Sequence, residues 1–264
     1  MLTPKVSTYN SPIGVAFCAV CVSAIVGLQQ PHLRRLQGES IPTSVMLAED
    51  ETAEKLRLNL LQRLPTFGFK NVVADWTFLN FLQYFGDELA RAQIGYRLSP
   101  DYFEVIINQD PYFKDYYLFL SGSTTLYAGL PQRSVALMEK GLTYLQPDSP
   151  PDSFFVWRYK GVDELLFLAD SQAAQHSFEI AADWASQSSH PQGQDLAEIS
   201  RQTAQFLARN PRSKRAQINA WQSILANAFD DPTRQLAISR IEALGGRVIL
   251  QANGEMTIQY PSED

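Results

Sequence analysis

Residues 116–147, YYLFLSGSTTLYAGLPQRSVALMEKGLTYLQP, decide how the chain is read. Gly122 and Gly129 stand seven apart and Pro131 opens a second segment. Ala136, Met138, Leu142 and Leu145 then recur with the spacing of an apolar helical stripe. The pattern predicts two helices joined by one tight corner. Small residues at Gly122 and Gly141 would let the helices approach closely, with the large residues between them filling the seam.

Outward from this hairpin the pattern stays helical. Thr52 reads as an N-cap for a helix to residue 64, with Leu56, Leu60, Leu61 and Leu64 on one face. Residues 71–92 read as one long helix, apolar over most of its circumference; Asp75, Asp87 and Glu88 make a membrane span costly there. Ser99-Pro100 starts the next helix. Residues 154–170 and 172–186 form a further pair, and helices over 194–209, 212–229 and 233–244 follow, punctuated by Asn210-Pro211 and Asp230-Asp231-Pro232. After Gly245-Gly246, residues 247–251 and 255–260 flank Asn253-Gly254, which predicts a β-hairpin. Two strands alone are marginal, so the hairpin should pack on the helices or pair with another chain.

The N-terminal region is different in kind. Residues 13–28 are apolar and free of charge, preceded by Lys5 and followed by His32, Arg34 and Arg35. As a helix they would extend about 24 Å, slightly less than a bilayer's apolar core. The segment 1–36 is read as a single-pass anchor, because no strong small-residue cleavage site follows; the alternative is a signal peptide cut near Ala24. Positive charge at both ends leaves the membrane side open. Cys18 and Cys21 lie inside the run and read as small apolar fillers. Residues 37–51, with Gly38, Pro42 and the acidic run 49–51, read as a flexible tether. The domain layout is thus anchor 1–36, linker 37–51, helical domain 52–244 and hairpin tail 245–264.

Charge narrows the functions. The net charge is −6, and beyond residue 38 there are 19 basic against 28 acidic side chains. Such a body is poorly suited to coating phosphate backbones, so no nucleic-acid partner is expected. Of the three histidines, His32 abuts the leader, His190 precedes Pro191 in a loop, and His176 has no ligand or nucleophile at helical spacing. No phosphate loop, dinucleotide fingerprint, zinc-protease motif or nucleophile elbow occurs. The expectation is a chain that is not an enzyme and holds no cofactor or metal.

Residues 116–147 resemble a tetratricopeptide repeat, a 34-residue helical hairpin that stacks into a solenoid. Gly122 and Gly129 match the family's small positions, Met138, Glu139, Gly141 and Leu142 fit its second helix, and Pro147 falls within one residue of its closing proline. YFEVIINQDP at 102–111 resembles the end of a preceding unit at about 80–113. A looser third unit begins at Phe154, with Trp157, Ala174, Phe178 and Ala181 near consensus. The resemblance implies a mainly α fold: an α-α superhelix with a short C-terminal β-hairpin and an N-terminal transmembrane helix or signal segment.

It also implies a place for binding, since the first helices of such units line a groove that takes a peptide or a partner helix. The positions carried across are Phe81, Tyr84, Glu88 and Arg91, then Tyr116, Phe119, Ser123, Leu126 and Tyr127, then Tyr159, Asp163 and Leu166. Proteins that look like this often assist the assembly of membrane complexes, photosynthetic ones included. A membrane-tethered adaptor or assembly factor is therefore the leading expectation. A permanent structural subunit of such a complex and a membrane-anchored enzyme are the alternatives.

Overall fold

The computed structural model describes residues 12–37, 44–228, 230–250 and 256–262. It divides into two compact units, one ending at Thr43 and the other running from Ser44. In the first, α1 (Pro12–Gln37) exposes Val15, Phe17, Val20, Val22, Ile25 and Val26. Ile13, Cys18 and Leu28 of the expected anchor lie outside the described side chains, and the leader's first residues lie outside the described chain. Among the described residues no helix is long and apolar enough to cross a membrane.

The second unit is mainly helical. Its start corrects the expected tether, of which residues 38–43 lie outside the description: α2 (Ser44–Leu61) begins inside it. Leu47 is buried, which an exposed linker would not allow. Of the acidic run, Glu49 and Asp50 are exposed, but Glu51 pairs with Arg97 at 3.3 Å; one turn further on, Glu54 accepts from the Tyr102 hydroxyl at 2.6 Å. Thr52 is not a cap. It lies inside α2 and donates to the Ala48 carbonyl at 2.9 Å.

The single helix expected over 71–92 is two, α3 (Lys70–Gly86) and α4 (Glu88–Ile94). Asp87 leaves helical geometry at φ −78°, ψ 79°, and its carboxylate caps the amide of Ala90 at 3.1 Å. An acid in a run of aromatics acts here as an N-cap, satisfying amides that a helix start leaves free. α5 (Ser99–Gln109) starts at Ser99-Pro100 as expected, with Leu98 of the preceding turn at its cap.

The hairpin at 116–147 forms from α6 (Lys114–Leu120), a π-helical continuation (Ser121–Tyr127) and α7 (Pro131–Leu142). Gly129, at φ +68°, makes the corner, a conformation that costs glycine little. A Cβ on Gly141 would stand 2.0 Å from the Tyr117 hydroxyl oxygen, so the seam closes because that position is bare. Gly122 has no such role: nothing lies within 4 Å of where its Cβ would be.

α8 (Phe154–Leu166), α9 (Ser171–Gln187) and α10 (Gly193–Arg209) pack side by side, followed by α11 (Lys214–Ala226) and α12 (Asp231–Ala243). β1 (Arg247–Leu250) and β2 (Met256–Gln259) pair antiparallel with Val248 opposite Ile258. Both strands pack on Ile218, Trp221 and Ile241, so the hairpin is carried by the helices; its Asn253-Gly254 turn lies outside the described residues. The largest core cluster joins α2, α3 and α5 to α8 through Phe81, Tyr102, Phe103, Tyr117 and Met138.

Candidate functional site

The π-helical turn is the local event that shapes the site. Its residues SGSTTLY place four Ser and Thr hydroxyls and one phenol in the helix, and buried hydroxyls call for partners. Asp163 of α8 takes two of them. Its carboxylate, with no exposed surface, accepts from Ser121 on one oxygen and from Thr125 and Ser134 on the other, each at 2.7 Å. One acid thus ties the π turn, α7 and α8 together. Burial pushes its pKa up to about 6 against the opposing pull of the three hydroxyls.

Beside this clamp lies an inner cavity of about 80 Å³, walled by Phe85, Phe119, Gly122, Ser123, Leu126, Tyr127 and Tyr159 with residues of α11 and α12. Ser123 is 2% exposed, and its hydroxyl has no hydrogen-bond partner. The Tyr127 hydroxyl donates to Asp230 and lies 2.7 Å from Thr233 Oγ1. Burial, and the bond to Asp230, push that phenol up to about 12. Asp230 itself is raised by partial burial, but the hydrogen bonds from Tyr127 and Thr233 hold it lower overall.

A second cavity of about 640 Å³ adjoins the first, sharing Leu118, Tyr159, Val162, Ser223 and Asn227. Its other walls come from α6, α8, α9, α10 and α11, and Tyr260, just past β2, closes one side through a hydrogen bond to Asn219. Burial raises the Tyr159 phenol well above its ordinary range.

The residues assigned by repeat spacing therefore divide. Phe119, Ser123, Leu126, Tyr127 and Tyr159 converge on the inner cavity. Tyr116 does not: it is 1% exposed, and its hydroxyl donates to the exposed Asp75 at 2.6 Å, at the edge of the core. Phe81 is likewise fully buried, and Asp163 is the clamp rather than a surface for a ligand. Leu166 packs half-buried between helices. Tyr84 and Arg91 form a separate pair, with the guanidinium 3.8 Å over the ring, while Arg91 donates to the Gly95 carbonyl and Tyr84 accepts from the Leu98 amide. Glu88 is exposed on α4. Sequence reasoning missed Arg158 of the larger cavity and Ser121, Thr125 and Ser134 of the clamp. The run of hydroxyls at 121–125 was the available signal for the clamp.

Among the described residues no group of three or more His, Cys, Asp or Glu side chains is placed to hold a metal ion. No protein-family model, curated protein or solved structure matches the chain.

Proposed function

We propose that this chain is a protein-interaction module, a tetratricopeptide-like stack of helical hairpins whose groove takes a peptide or partner helix. One observation carries the reading: Phe119, Ser123 and Tyr127, one helical turn apart, meet Tyr159 from another helix around one apolar cavity. Apolar walls with a few convergent polar groups are how recognition pockets are built, and ring side chains supply contact area at low entropic cost.

The setting we propose is a bilayer, with the leader as its tether and assembly of a membrane complex, such as a photosynthetic one, as the role. The support is the exposed aliphatic and aromatic surface of α1, whose contiguous apolar side chains call for an apolar cover.

The test fills the cavity without touching the core. Gly122 lines it and has open space at its Cβ, so Gly122→Leu places a side chain in the groove. The tagged full chain and this variant are recovered from gently solubilised native membranes. A partner retained by the parent and lost by the variant, at unchanged helical content, is the expected result. Equal recovery by both would refute the groove.

A further inference from the structure

Arg158 stands apart from the other arginines near carboxylates. Arg57, Arg97, Arg133, Arg201 and Arg234 each pair with an acid. Arg91 lacks such a pair, but its cavity also contains Asp50, Glu51, Glu54 and Asp87. Arg158 lies on α8 in the wall of the 640 Å³ cavity, partly buried. Among the described residues its guanidinium has one hydrogen-bond partner, the Ser200 hydroxyl of α10, and no carboxylate at ion-pair distance. Burial lowers its pKa to about 10, and it remains a cation at neutral pH. A guanidinium carries five N–H donors in a fork that matches a carboxylate, so most of this one's capacity is unused.

The surroundings define what would answer it. Lys114, the other cation on the wall, is already neutralised by Asp115 at 2.8 Å. One unmatched positive charge remains, and Asp115 opposes a second negative charge on a ligand. Gln202, Thr203, Ser223 and Asn227, with Asn219 and Gln222 at the Tyr260 side, add neutral polar groups to the wall. Leu118, Phe155, Val162, Leu196 and Ile199 give it an apolar side. The adjoining inner cavity extends that apolar volume. The total falls within the range of clefts that enclose small organic ligands, about 300–1,000 Å³.

We infer that the larger cavity is a binding site for a free monocarboxylate with an apolar body. The carboxylate pairs with the Arg158 fork, and the body lies against Leu118 and Val162 toward the inner cavity. This inference does not depend on the partner reading: a small acid could occupy the cavity whether or not a protein docks over it.

The test is calorimetric titration of the full chain with octanoate, 1-octanol and acetate, repeated with Arg158→Met and Arg158→Lys. Octanoate should bind one to one and at least tenfold tighter than octanol or acetate. Arg158→Met should weaken octanoate at least tenfold and leave octanol unchanged, with Arg158→Lys between, because it keeps the charge and loses the fork. Adsorption of acyl chains to the exposed leader is common to all three proteins and cancels in the comparison. Arg158→Met removes a partly buried unpaired charge, so it should fold, and its thermal transition verifies this. Octanoate binding that matches octanol, or that survives Arg158→Met, overturns the assignment. If octanoate fails while Arg158→Met abolishes partner recovery from membranes, the carboxylate belongs to a docked segment and the free-acid assignment is overturned.

Discussion

Asp163→Asn tests whether the clamp beside the cavity is a dry, charged centre. The folded-state pKa of Asp163 is raised to about 6 from 3.8, by burial first and the charge of Glu164 last, so folding favours its protonated form. The stabilisation that protonation brings is fully present below about pH 4 and is lost as pH rises through about 6. A shift of about two units corresponds to about 3 kcal/mol at 1.36 kcal/mol per unit. Asparagine has no charge to bury, so it carries none of this dependence. It does place an NH₂ against Thr125 and Ser134 or against Ser121, a pH-independent cost of about 1–3 kcal/mol if a hydroxyl cannot turn to accept. Urea unfolding of parent and variant from pH 4 to 7.5 separates the two effects. The stability difference should move by about 2.4 kcal/mol of that span in the parent's favour as pH falls from 7 to 4, whatever its constant offset. A flat difference would show that the carboxylate titrates normally and is not enclosed, and the clamp would fail as an explanation of the π turn.

Four further substitutions at two places probe the frame around the site. Gly141→Ala puts a Cβ 2.0 Å from the Tyr117 hydroxyl, which is fully buried and donates to the Pro111 carbonyl at 2.7 Å. The ring cannot retreat, so a loss of about 1–3 kcal/mol is expected from the urea midpoint. Gly122→Ala, with open space at its Cβ, should cost nothing. Lys160 pairs with Glu164 where the two are 6% and 3% exposed, and Ser177 donates to the same carboxylate. Lys160→Met should cost about 3–5 kcal/mol by leaving Glu164 buried without its cation, and adding Glu164→Leu should restore most of it. No recovery in the double variant would mean that packing, not charge, made the first loss.

What could be read from the sequence was what is local. Pro131, Pro211 and Pro232 sit at helix starts or just before them, and Asp170 and Asp230 cap α9 and α12 through bonds to residues three further on. The hairpin strands fell where alternation and Asn253-Gly254 placed them. The misread tether shows the limit of composition. Glu51 looks solvated beside Asp50, yet its partner Arg97 lies 46 residues away, as Tyr102 lies 48 residues from Glu54 in the adjoining turn. Charge density signals a linker only when nothing distant claims the charges, and no window of sequence contains that information.

The site divides along the same line. Repeat spacing carries a position from one helix to the next only while each helix stays continuous. From Phe119 to Tyr127 continuity holds through the π turn, and the assigned side chains share a cavity with Tyr159. Between Tyr84 and Glu88 it fails, because Asp87 ends α3 and caps α4, so Tyr84, Glu88 and Arg91 no longer belong to one helical face. Asp163 fails for another reason: a periodic count treats an acid on a helix as a surface residue, whereas three hydroxyls from two other segments make its burial tolerable. A substitution that removes those hydroxyls should therefore disturb the cavity wall more than removal of any exposed ring. Ser121 and Thr125 lie on the same π turn as Ser123 and Tyr127, and they anchor that turn to α8, which carries both Tyr159 and Arg158.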